Sequence, residues 1–298
     1  MRPAVLLYNP AAGRGRPRRF LAALGEALRG GGFGTHAIAT EGPGDATRLA
    51  AAAAEEGAEA VFVLGGDGTV REAAAGLLGG EVPLAILPGG TTNVLARALG
   101  LPPDALSAAR VHATAPVRRL DVGLCAGVPF LMMASAGFDA FVLGRLDPQL
   151  KRRLGRAGIV LQGLRELRRY AWPRLELTVD GAQREASFAA VCNIPYYAGR
   201  YQLVPGARFD DRRLDLVTFS GDGYLDTLGF ALDLARGRHL RRSDVTVSPV
   251  SEVVIHGPAG AHVQIDGDLC GERVPVTLTL AEATLPVLAP LGPPPGRV

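Results

Sequence analysis

The stretch from residue 61 to residue 72 carries the residue types best suited to chemistry. It reads Val-Phe-Val-Leu-Gly-Gly-Asp-Gly-Thr-Val-Arg-Glu, an apolar run that ends in a glycine turn containing Asp67. Glycines let the backbone approach a ligand closely, and the amides that begin a helix bind anions. An acid beside a phosphate needs a divalent cation between the two, or takes up a proton itself. The stretch therefore indicates phosphoryl transfer.

A purely structural interpretation of the same residues stands beside this one. Gly-Gly-Asp-Gly is a good turn, and Thr69 with Glu72 three residues later has the pattern of a helix capping box. Short motifs match by chance often enough that this loop alone does not separate the two interpretations.

The elements around this loop alternate between strands and helices in the first half of the chain. Apolar runs predict strands at 4–8, 33–39, 61–64 and 84–87, with helices at 18–29, 45–56, 69–78 and 94–99 between and after them. This order predicts a doubly wound parallel sheet, which binds ligands outside the carboxyl ends of its strands. The glycine-containing loops at 9–13, 65–68 and 88–93 all lie at those ends.

After residue 121 the pattern changes to period-two alternation. Strand-like runs at 174–179, 187–192, 214–219, 244–248, 262–265 and 274–280, with turn pairs such as Asp180-Gly181, predict an antiparallel β-sandwich. We therefore expect a nucleotide domain at 1–121 and a sandwich domain at 122–281, with 282–298 free to pack back on the first. A cleft between two such domains is the usual place for an active site.

Composition limits the class of protein. The 298 residues carry a net charge of +3, almost wholly from arginine, and nowhere is there an apolar run of about 18 residues. We expect a soluble cytoplasmic protein with no nucleic-acid partner.

Cys125, Cys192 and Cys270 are far apart and lack metal-site spacing, which argues against a disulfide framework or a zinc site.

One helical island, at about 146–170, interrupts the second-half strands. It places Lys151 and several arginines among leucines, a pattern that suits a segment lying on an anionic membrane surface. A solvated arginine face over an ordinary core face explains the pattern as well.

The sequence resembles the diacylglycerol kinase catalytic-domain family, and within it bacterial lipid kinases related to diacylglycerol and sphingosine kinases. The resemblance covers the chain to about residue 280. It is carried by motifs that begin at Asn9 (Asn-Pro-Ala-Ala-Gly), Gly65 (Gly-Gly-Asp-Gly-Thr), Pro88 (Pro-Gly-Gly-Thr-Thr-Asn), Ser135 (Ser-Ala-Gly-Phe-Asp-Ala), Asp210 (Asp-Asp-Arg-Arg-Leu-Asp) and Ile265 (Ile-Asp-Gly-Asp).

The resemblance implies an ATP- and Mg²⁺-dependent lipid kinase. Asp67 would meet Mg²⁺ near the transferred phosphate, and Arg14 is favoured over Arg16, Arg18 and Arg19 as a phosphate contact. The residues expected to line the nucleotide are Asn9, Pro10, Ala11, Ala12, Gly13, Arg14, Thr40, Gly65, Gly66, Asp67, Gly68, Thr69, Glu72, Gly90, Thr91 and Asn93.

The resemblance also implies a proton acceptor in the stretch 266–268. Relatives carry Asp-Gly-Glu here, whereas this chain has Asp-Gly-Asp, so Asp268 with Asp266 would accept the proton of the lipid hydroxyl. The shorter side chain places its carboxylate about one methylene further back. Asp-Gly is also the commonest hairpin signal and recurs at Asp180 and Asp222.

A structural Mg²⁺ is implied at residues 208–213. Asp211 would be its side-chain ligand, with the main-chain carbonyls of Arg208 and Arg213, although Arg212 stands where relatives commonly have glycine. Asp139 is expected to touch substrate or to make a structural hydrogen bond.

Two other functions compete with the lipid kinase. An NAD kinase shares the Gly-Gly-Asp-Gly-Thr loop but phosphorylates a soluble nucleotide, and the motifs beginning at Asn9 and Pro88 argue against it. A non-catalytic lipid or nucleotide sensor would follow if the changes at Asp268 and Arg212 had removed the chemistry.

The acceptor remains open among diacylglycerol, a sphingoid base, phosphatidylglycerol and an undecaprenol-like alcohol. A homodimer is a common state for such an enzyme.

Overall fold

A computed structural model describes residues 1–14, 20–147 and 156–291 and divides the chain into two compact units. The first unit is Met1–Leu120 together with the chain from Glu282 onward, and the second is Asp121–Ala281. Each unit is described by itself below.

Parts of two predictions fall outside the described residues. Arg16, Arg18 and Arg19 lie there, as does the side chain of Arg14, whose backbone ends a short 3-10 helix. Lys151 and the first half of the predicted basic helix lie there as well.

The first unit alternates strands and helices as predicted. Its strands are β1 (Arg2–Tyr8), β2 (Phe33–Ala39), β3 (Ala60–Gly65), β4 (Leu84–Pro88) and β5 (Val117–Leu120), joined by β20 (Leu285–Leu288) near the C-terminus. Its helices are α1 (Leu21–Gly30), α2 (Asp45–Glu55), α3 (Asp67–Leu77), α4 (Val94–Ala98) and α5 (Ala105–His112), with a 3-10 helix at Ala12–Arg14.

These strands form one sheet in the order β2-β1-β3-β4-β20-β5. Strands β1 to β4 are parallel, and β3 is buried along its whole length, as a strand covered on both faces must be. Helices α1 and α5 pack on the face that carries Phe62 and Leu64, where Leu24 and Leu28 of α1 are fully buried. Helices α2 and α3 pack against each other and against β1 and β3. The predicted parallel-sheet domain is confirmed.

The second unit is built mainly from antiparallel strands. They are β6 (Gly123–Cys125), β7 (Val128–Phe130), β8 (Met133–Ala136), β9 (Leu175–Val179), β10 (Ala182–Ala186), β11 (Phe188–Cys192), β12 (Tyr196–Tyr197), β13 (Tyr201–Gln202), β14 (Leu214–Phe219), β15 (Val245–Val250), β16 (Glu252–His256), β17 (His262–Ile265), β18 (Asp268–Arg273) and β19 (Val276–Leu280). Its helices are α6 (Phe138–Gly144), α7 (Arg156–Glu166) and α8 (Gly223–Ala235), with a 3-10 helix at His239–Arg241.

Two sheets of this unit face each other across a shared core. Their strand orders are β10-β9-β16-β19-β6-β7 and β15-β14-β11-β8-β17-β18. The core collects Leu177, Val253 and Leu278 from the first sheet and Ala136, Val191 and Ile265 from the second. The predicted antiparallel sandwich is therefore confirmed.

Helix α8 was not predicted, so the expectation of a single helical island is wrong. Asp222 and Gly223 have the composition of a hairpin turn, yet Asp222 is extended (φ −123°, ψ 140°) and leads directly into α8. Its amide donates to Asp226 Oδ2 at 3.0 Å, which satisfies the backbone at the start of the helix. At Asp180 and Asp266 the same dipeptide does adopt the left-handed conformation of a turn, with φ of 47° and 53°.

Candidate active site

The loops after β1, β3 and β4 meet at one edge of the first unit's sheet. These strands are parallel neighbours, so their carboxyl ends lie side by side. Asn9 N donates to Leu64 O at 3.1 Å, and Gly89 N donates to Gly65 O at 2.9 Å, which carries the pairing into the loops. We call this edge the loop cluster; it brings together the predicted residues at 9–14, 65–72 and 90–93.

Glycine is required where the loops touch. A Cβ on Gly90 would lie 2.5 Å from the Cα of Gly66, and a Cβ on Gly13 would lie 2.5 Å from Gly89 O. Gly13 also has a φ of 54°, which side chains rarely adopt. The first loop and the second are therefore each packed on the third without space for a methyl group.

Asn9 links the first loop to the second. Its Nδ2 donates to Thr69 Oγ1 at 3.1 Å, and its Oδ1 accepts from Ala11 N at 2.9 Å. Thr69 lies inside α3, whose N-cap is Gly66 in an extended conformation. The capping-box interpretation of Thr69 and Glu72 is therefore wrong, because the helix begins before Thr69.

Asp67 joins the second loop to the third. It is the first residue of α3, and its carboxylate accepts from Thr92 Oγ1 at 3.0 Å and from Leu95 N at 3.3 Å. Leu95 N belongs to the first turn of α4, where amides lack helical partners. A carboxylate has about four lone-pair sites, so Asp67 can hold this loop and still contact a cation.

The other predicted nucleotide residues shape the same edge. Asn93 has a left-handed φ of 47°. Its Oδ1 accepts a hydrogen bond from Gly90 N at 2.9 Å, which stabilises the loop after β4. Thr40 N donates to Tyr8 O at 2.9 Å, which fixes the end of β2 next to β1. Thr91 is exposed beside them.

The donors of the loop cluster suit an anion, and its acid suits a cation. The N-terminus of α3 lies here, where amides and the helix dipole favour phosphate, and the hydroxyls of Thr69 and Thr91 add further donors. Mg²⁺ is often held by one or two carboxylates together with substrate phosphates. Asp67 fits that pattern.

In the second unit, Asp266 holds a turn and is itself buried. It is 8% exposed, and its carboxylate accepts from the amides of Leu131, Met132 and Met133 at 2.9, 2.8 and 3.0 Å. Asp266 N in turn donates to Met133 O at 2.9 Å. These bonds tie the turn to the start of β8, so the geometry gives Asp266 a structural task.

Asp268 lies on the other side of the same turn. It begins β18, pairs with Ile265 of β17 and is half-buried. Asp266 and Gly267, with φ of 53° and 87°, form the two-residue left-handed turn between these strands. Of the two predicted acids, Asp268 is therefore the more exposed.

Two family models together cover most of the chain. Residues 3–125 match the model described as the diacylglycerol kinase catalytic domain. Residues 132–289 match the model described as the YegS C-terminal NAD kinase beta sandwich-like domain. The chain belongs to the diacylglycerol kinase family.

Several known proteins are similar to this chain over nearly its full length. They include the diacylglycerol kinase of Bacillus subtilis strain 168, 29% identical over 276 residues with 91% of each chain covered, and that of Staphylococcus saprophyticus, 30% identical over 276 residues with 90% of each covered. The crystal structure of a candidate diacylglycerol kinase from Bacillus anthracis strain Sterne is similar at a TM-score of 0.83 and 26% identity, covering 97% of this chain and 96% of that one. Membership makes the protein an enzyme, a phosphotransferase with an alcohol group as acceptor.

In this diacylglycerol kinase family member, the loop at 208–213 carries several charged side chains. Arg208 forms an ion pair with Asp210 at 3.1 Å, and Asp211 and Arg213 are exposed. Across residues 1–14, 20–147 and 156–291 there is no group of three or more His, Cys, Asp or Glu residues that could hold a metal ion. The predicted site combines one carboxylate with main-chain carbonyls, so the structural Mg²⁺ at Asp211 stays a prediction.

Arg212, within this loop, forms an ion pair with a buried acid. It donates from its Nη1 to Oδ1 of the buried Asp121 at 3.1 Å and from its Nη2 to Ala281 O at 2.8 Å. Its backbone amide donates to Asp121 Oδ2 at 2.6 Å. Arg212 has a φ of 60°, a left-handed conformation that favours glycine.

Some residues of these sites could not be chosen from the sequence. Thr92, beside the predicted Thr91, is the threonine that contacts Asp67, and adjacent identical residues give no signal to separate them. Gln264 lies between the apolar residues Val263 and Ile265 of β17 and is 3% exposed. A polar side chain that is buried needs hydrogen-bond partners, so a glutamine between apolar residues of a strand was the signal that could have pointed to Gln264.

Proposed function

We propose that this protein is an ATP- and Mg²⁺-dependent lipid kinase that transfers the γ-phosphate of ATP to the hydroxyl of a diacylglycerol-like lipid. The observation that carries the proposal is the loop cluster centred on Asp67, in a chain of this family. The relatives described above are named diacylglycerol kinase, which supports this class of acceptor.

The loop cluster is the proposed site for the ATP phosphates. The α3 amides, the Asn9 amide group and the hydroxyls of Thr69 and Thr91 bind and orient the phosphate oxygens. Asp67 would hold Mg²⁺ here, and the bound ion would supply positive charge to the transferred phosphoryl group. Thr92 and Leu95 fix the Asp67 carboxylate, so it is oriented before the nucleotide arrives.

Asp268 is the proposed proton acceptor. Its carboxylate takes the proton of the lipid hydroxyl as the hydroxyl oxygen attacks the γ-phosphorus in line with the leaving oxygen of ADP. Asp266 keeps the turn in place through the amides of the segment before β8. The two acids of the turn therefore divide their tasks, one chemical and one structural.

Helix α7 and the residues after it offer a surface for peripheral contact with an anionic membrane. Val160 and Leu164 are 63% and 59% exposed, and Arg165 and Arg168 are exposed on the same segment. Apolar side chains beside arginines suit the boundary between lipid headgroups and acyl chains. In the part of the chain that the structure describes, no helix is both long and apolar enough to cross a bilayer.

Transfer of label from [γ-³²P]ATP to a panel of acceptors tests this proposal. The panel contains diacylglycerol, a sphingoid base, phosphatidylglycerol and undecaprenol in mixed micelles, together with soluble NAD, each with and without Mg²⁺. We expect Mg²⁺-dependent label in a lipid and the highest rate with diacylglycerol. Label in NAD alone would instead identify a soluble-nucleotide kinase, and bound ATP without transfer to any acceptor would identify a sensor.

A further inference from the structure

A buried chain of hydrogen bonds runs beneath the turn that precedes Asp268. Gly267 N donates to Gln264 Oε1 at 2.8 Å, Gln264 Nε2 donates to Ser135 Oγ at 2.7 Å, and Ser135 Oγ donates to Asp139 Oδ2 at 2.6 Å. Gln264 is 3% exposed and Ser135 is fully buried. The Asp266–Gly267 peptide at the centre of the turn is thus connected to an acid on another element.

Sheet register places the two middle residues of this chain together. Ser135 on β8 and Gln264 on β17 are direct cross-strand partners, so their side chains stand on the same face of the sheet. Asp139 lies in the first turn of α6, which follows β8 after Gly137. Gly137 has a φ of 130°, and a Cβ there would lie 2.9 Å from Ser187 O, so the sharp connection that returns Asp139 to Ser135 needs glycine.

The acid at the end of the chain is held in place by further donors. Asp139 accepts from Ala140 N at 2.7 Å and from the Tyr197 hydroxyl at 3.3 Å. A polar atom that lost its partner at this partly buried position would not regain the full hydrogen bonding that water provides. Each member of the chain therefore restrains the next, and the last member restrained is the Gly267 amide.

The chain cannot conduct protons, because the Gln264 amide group does not take up or release one under ordinary conditions. Its effect is on orientation. Asp268 directly follows Gly267, and an aspartate reaches out through one methylene only. The Asp266–Gly267 peptide lies one residue before Asp268, so its orientation sets the direction in which the chain enters Asp268.

We propose that Ser135 and Gln264 are positioning residues that hold the Gly267 peptide so that Asp268 presents its carboxylate to the acceptor hydroxyl. This inference rests on the proposed function of Asp268. Misplacement of a catalytic group by about 1 Å lowers a rate by as much as 10²-fold. The bonds beneath the turn thus contribute to catalysis without touching substrate.

The test compares Ser135→Ala with Ser187→Ala as a matched control. Ser187 is also buried in the second unit, where its hydroxyl donates to Phe219 O and Gly221 O, so both changes remove a buried serine hydroxyl. We expect Ser135→Ala to lower kcat about 10-fold or more with the KM for ATP unchanged. We expect Ser187→Ala to keep the wild-type kcat.

A double-mutant cycle with Asp268→Asn separates positioning from general damage. If Ser135 acts through Asp268, Ser135→Ala lowers kcat in the wild-type background but not in the Asp268→Asn background. The same fold loss in both backgrounds overturns the inference, as does a kcat equal to that of Ser187→Ala. A fully active Asp268→Asn enzyme would instead overturn the proposed role of Asp268 itself.

Amide hydrogen exchange at Gly267 provides a readout that needs no activity. The bond to Gln264 protects this amide, so we expect its exchange to be at least about 10-fold faster in Ser135→Ala and unchanged in Ser187→Ala. Unchanged exchange at Gly267 in Ser135→Ala would show that Ser135 does not restrain the turn and would overturn the inference.

Discussion

At the scale of single residues, Asp67 carries both a structural and a chemical task. Replacing it with Asn keeps an oxygen for Leu95 N and a polar group for Thr92 but removes the negative charge. We expect Asp67→Asn to melt within a few degrees of wild type while kcat for phosphoryl transfer falls by about 10³-fold or more.

Asp104→Asn is the matched control for that change. Asp104 caps α5 by accepting from Ser107 N at 2.8 Å, and asparagine serves equally well at an N-cap. Activity and melting temperature of this variant should match wild type. A fully active Asp67→Asn enzyme would refute the metal-binding role of Asp67.

Burial raises the pKa of Asp139 above its ordinary value, and the hydrogen bonds from Ser135, Ala140 N and Tyr197 oppose that rise. Between the unfolded-state pKa of about 4 and the raised folded-state pKa, the folded protein keeps a proton that the unfolded chain has lost. The contribution of this group to stability therefore falls as pH rises through that window.

Asp139→Asn removes this titration. We expect the unfolding free energy of wild type minus that of Asp139→Asn, from urea denaturation across a pH series, to decline as pH rises above about 4. Asp215, whose pKa burial also raises, is present in both proteins and cancels in the difference. A difference that is flat or rising with pH would contradict this account.

At the scale of elements, the loop cluster depends on backbone contact between loops. Gly90→Ala would place a methyl group 2.5 Å from the Cα of Gly66, so either the third loop or Gly66, the N-cap of α3, must move. We expect ATP affinity, measured by isothermal titration calorimetry, to fall at least about 10-fold, the equivalent of 1.4 kcal/mol.

Gly163→Ala on α7 is the control for this loss, since a Cβ there meets no atom within 4 Å. It should bind ATP as wild type does and be slightly more stable, because alanine favours a helix. ATP affinity that is unchanged in Gly90→Ala would show that the third loop does not shape the nucleotide site.

Local sequence patterns predicted the strands β1 to β4 and the helices between them, whereas contacts between distant parts of the chain could not be predicted. Buried runs and glycine loops placed β1 to β4 and their loops correctly, because burial and φ constraints are local. The partnership of Ser135 with Gln264, 129 positions apart, follows from sheet register. The contact of Arg212 with Asp121, 91 positions apart, follows from how a loop meets a strand end. No spacing rule in the sequence predicts either contact.

At the scale of the whole molecule, we expect phosphoryl transfer to depend on Mg²⁺ and the stability of the protein not to depend on it. Arg212 supplies a positive charge to the buried Asp121, and we expect this pair to hold the loop at 208–213 without a metal ion. We expect EDTA to abolish phosphoryl transfer and to leave the melting temperature of the apo-protein unchanged. A melting temperature that falls with EDTA and returns with Mg²⁺ would contradict the assignment of Arg212.

Contact with a membrane should depend on the exposed face of α7. We expect Val160→Glu with Leu164→Glu to reduce co-sedimentation with phosphatidylglycerol vesicles several-fold, because both side chains are largely exposed and apolar. Val117→Glu, at a residue 53% exposed in the first unit, is the control and should sediment as wild type does. Equal binding of all three proteins would remove α7 from the proposed membrane surface.

Single-turnover phosphoryl transfer by Asp268→Asn tests the central claim most directly. Enzyme saturated with ATP and Mg²⁺ is mixed with the best lipid acceptor, and Glu272→Gln, an exposed acid on the same strand β18, is run as the control. Loss of the proton acceptor should slow the chemical step about 10²-fold or more, with ATP affinity unchanged and Glu272→Gln as fast as wild type. A transfer rate for Asp268→Asn within twofold of wild type would contradict the account.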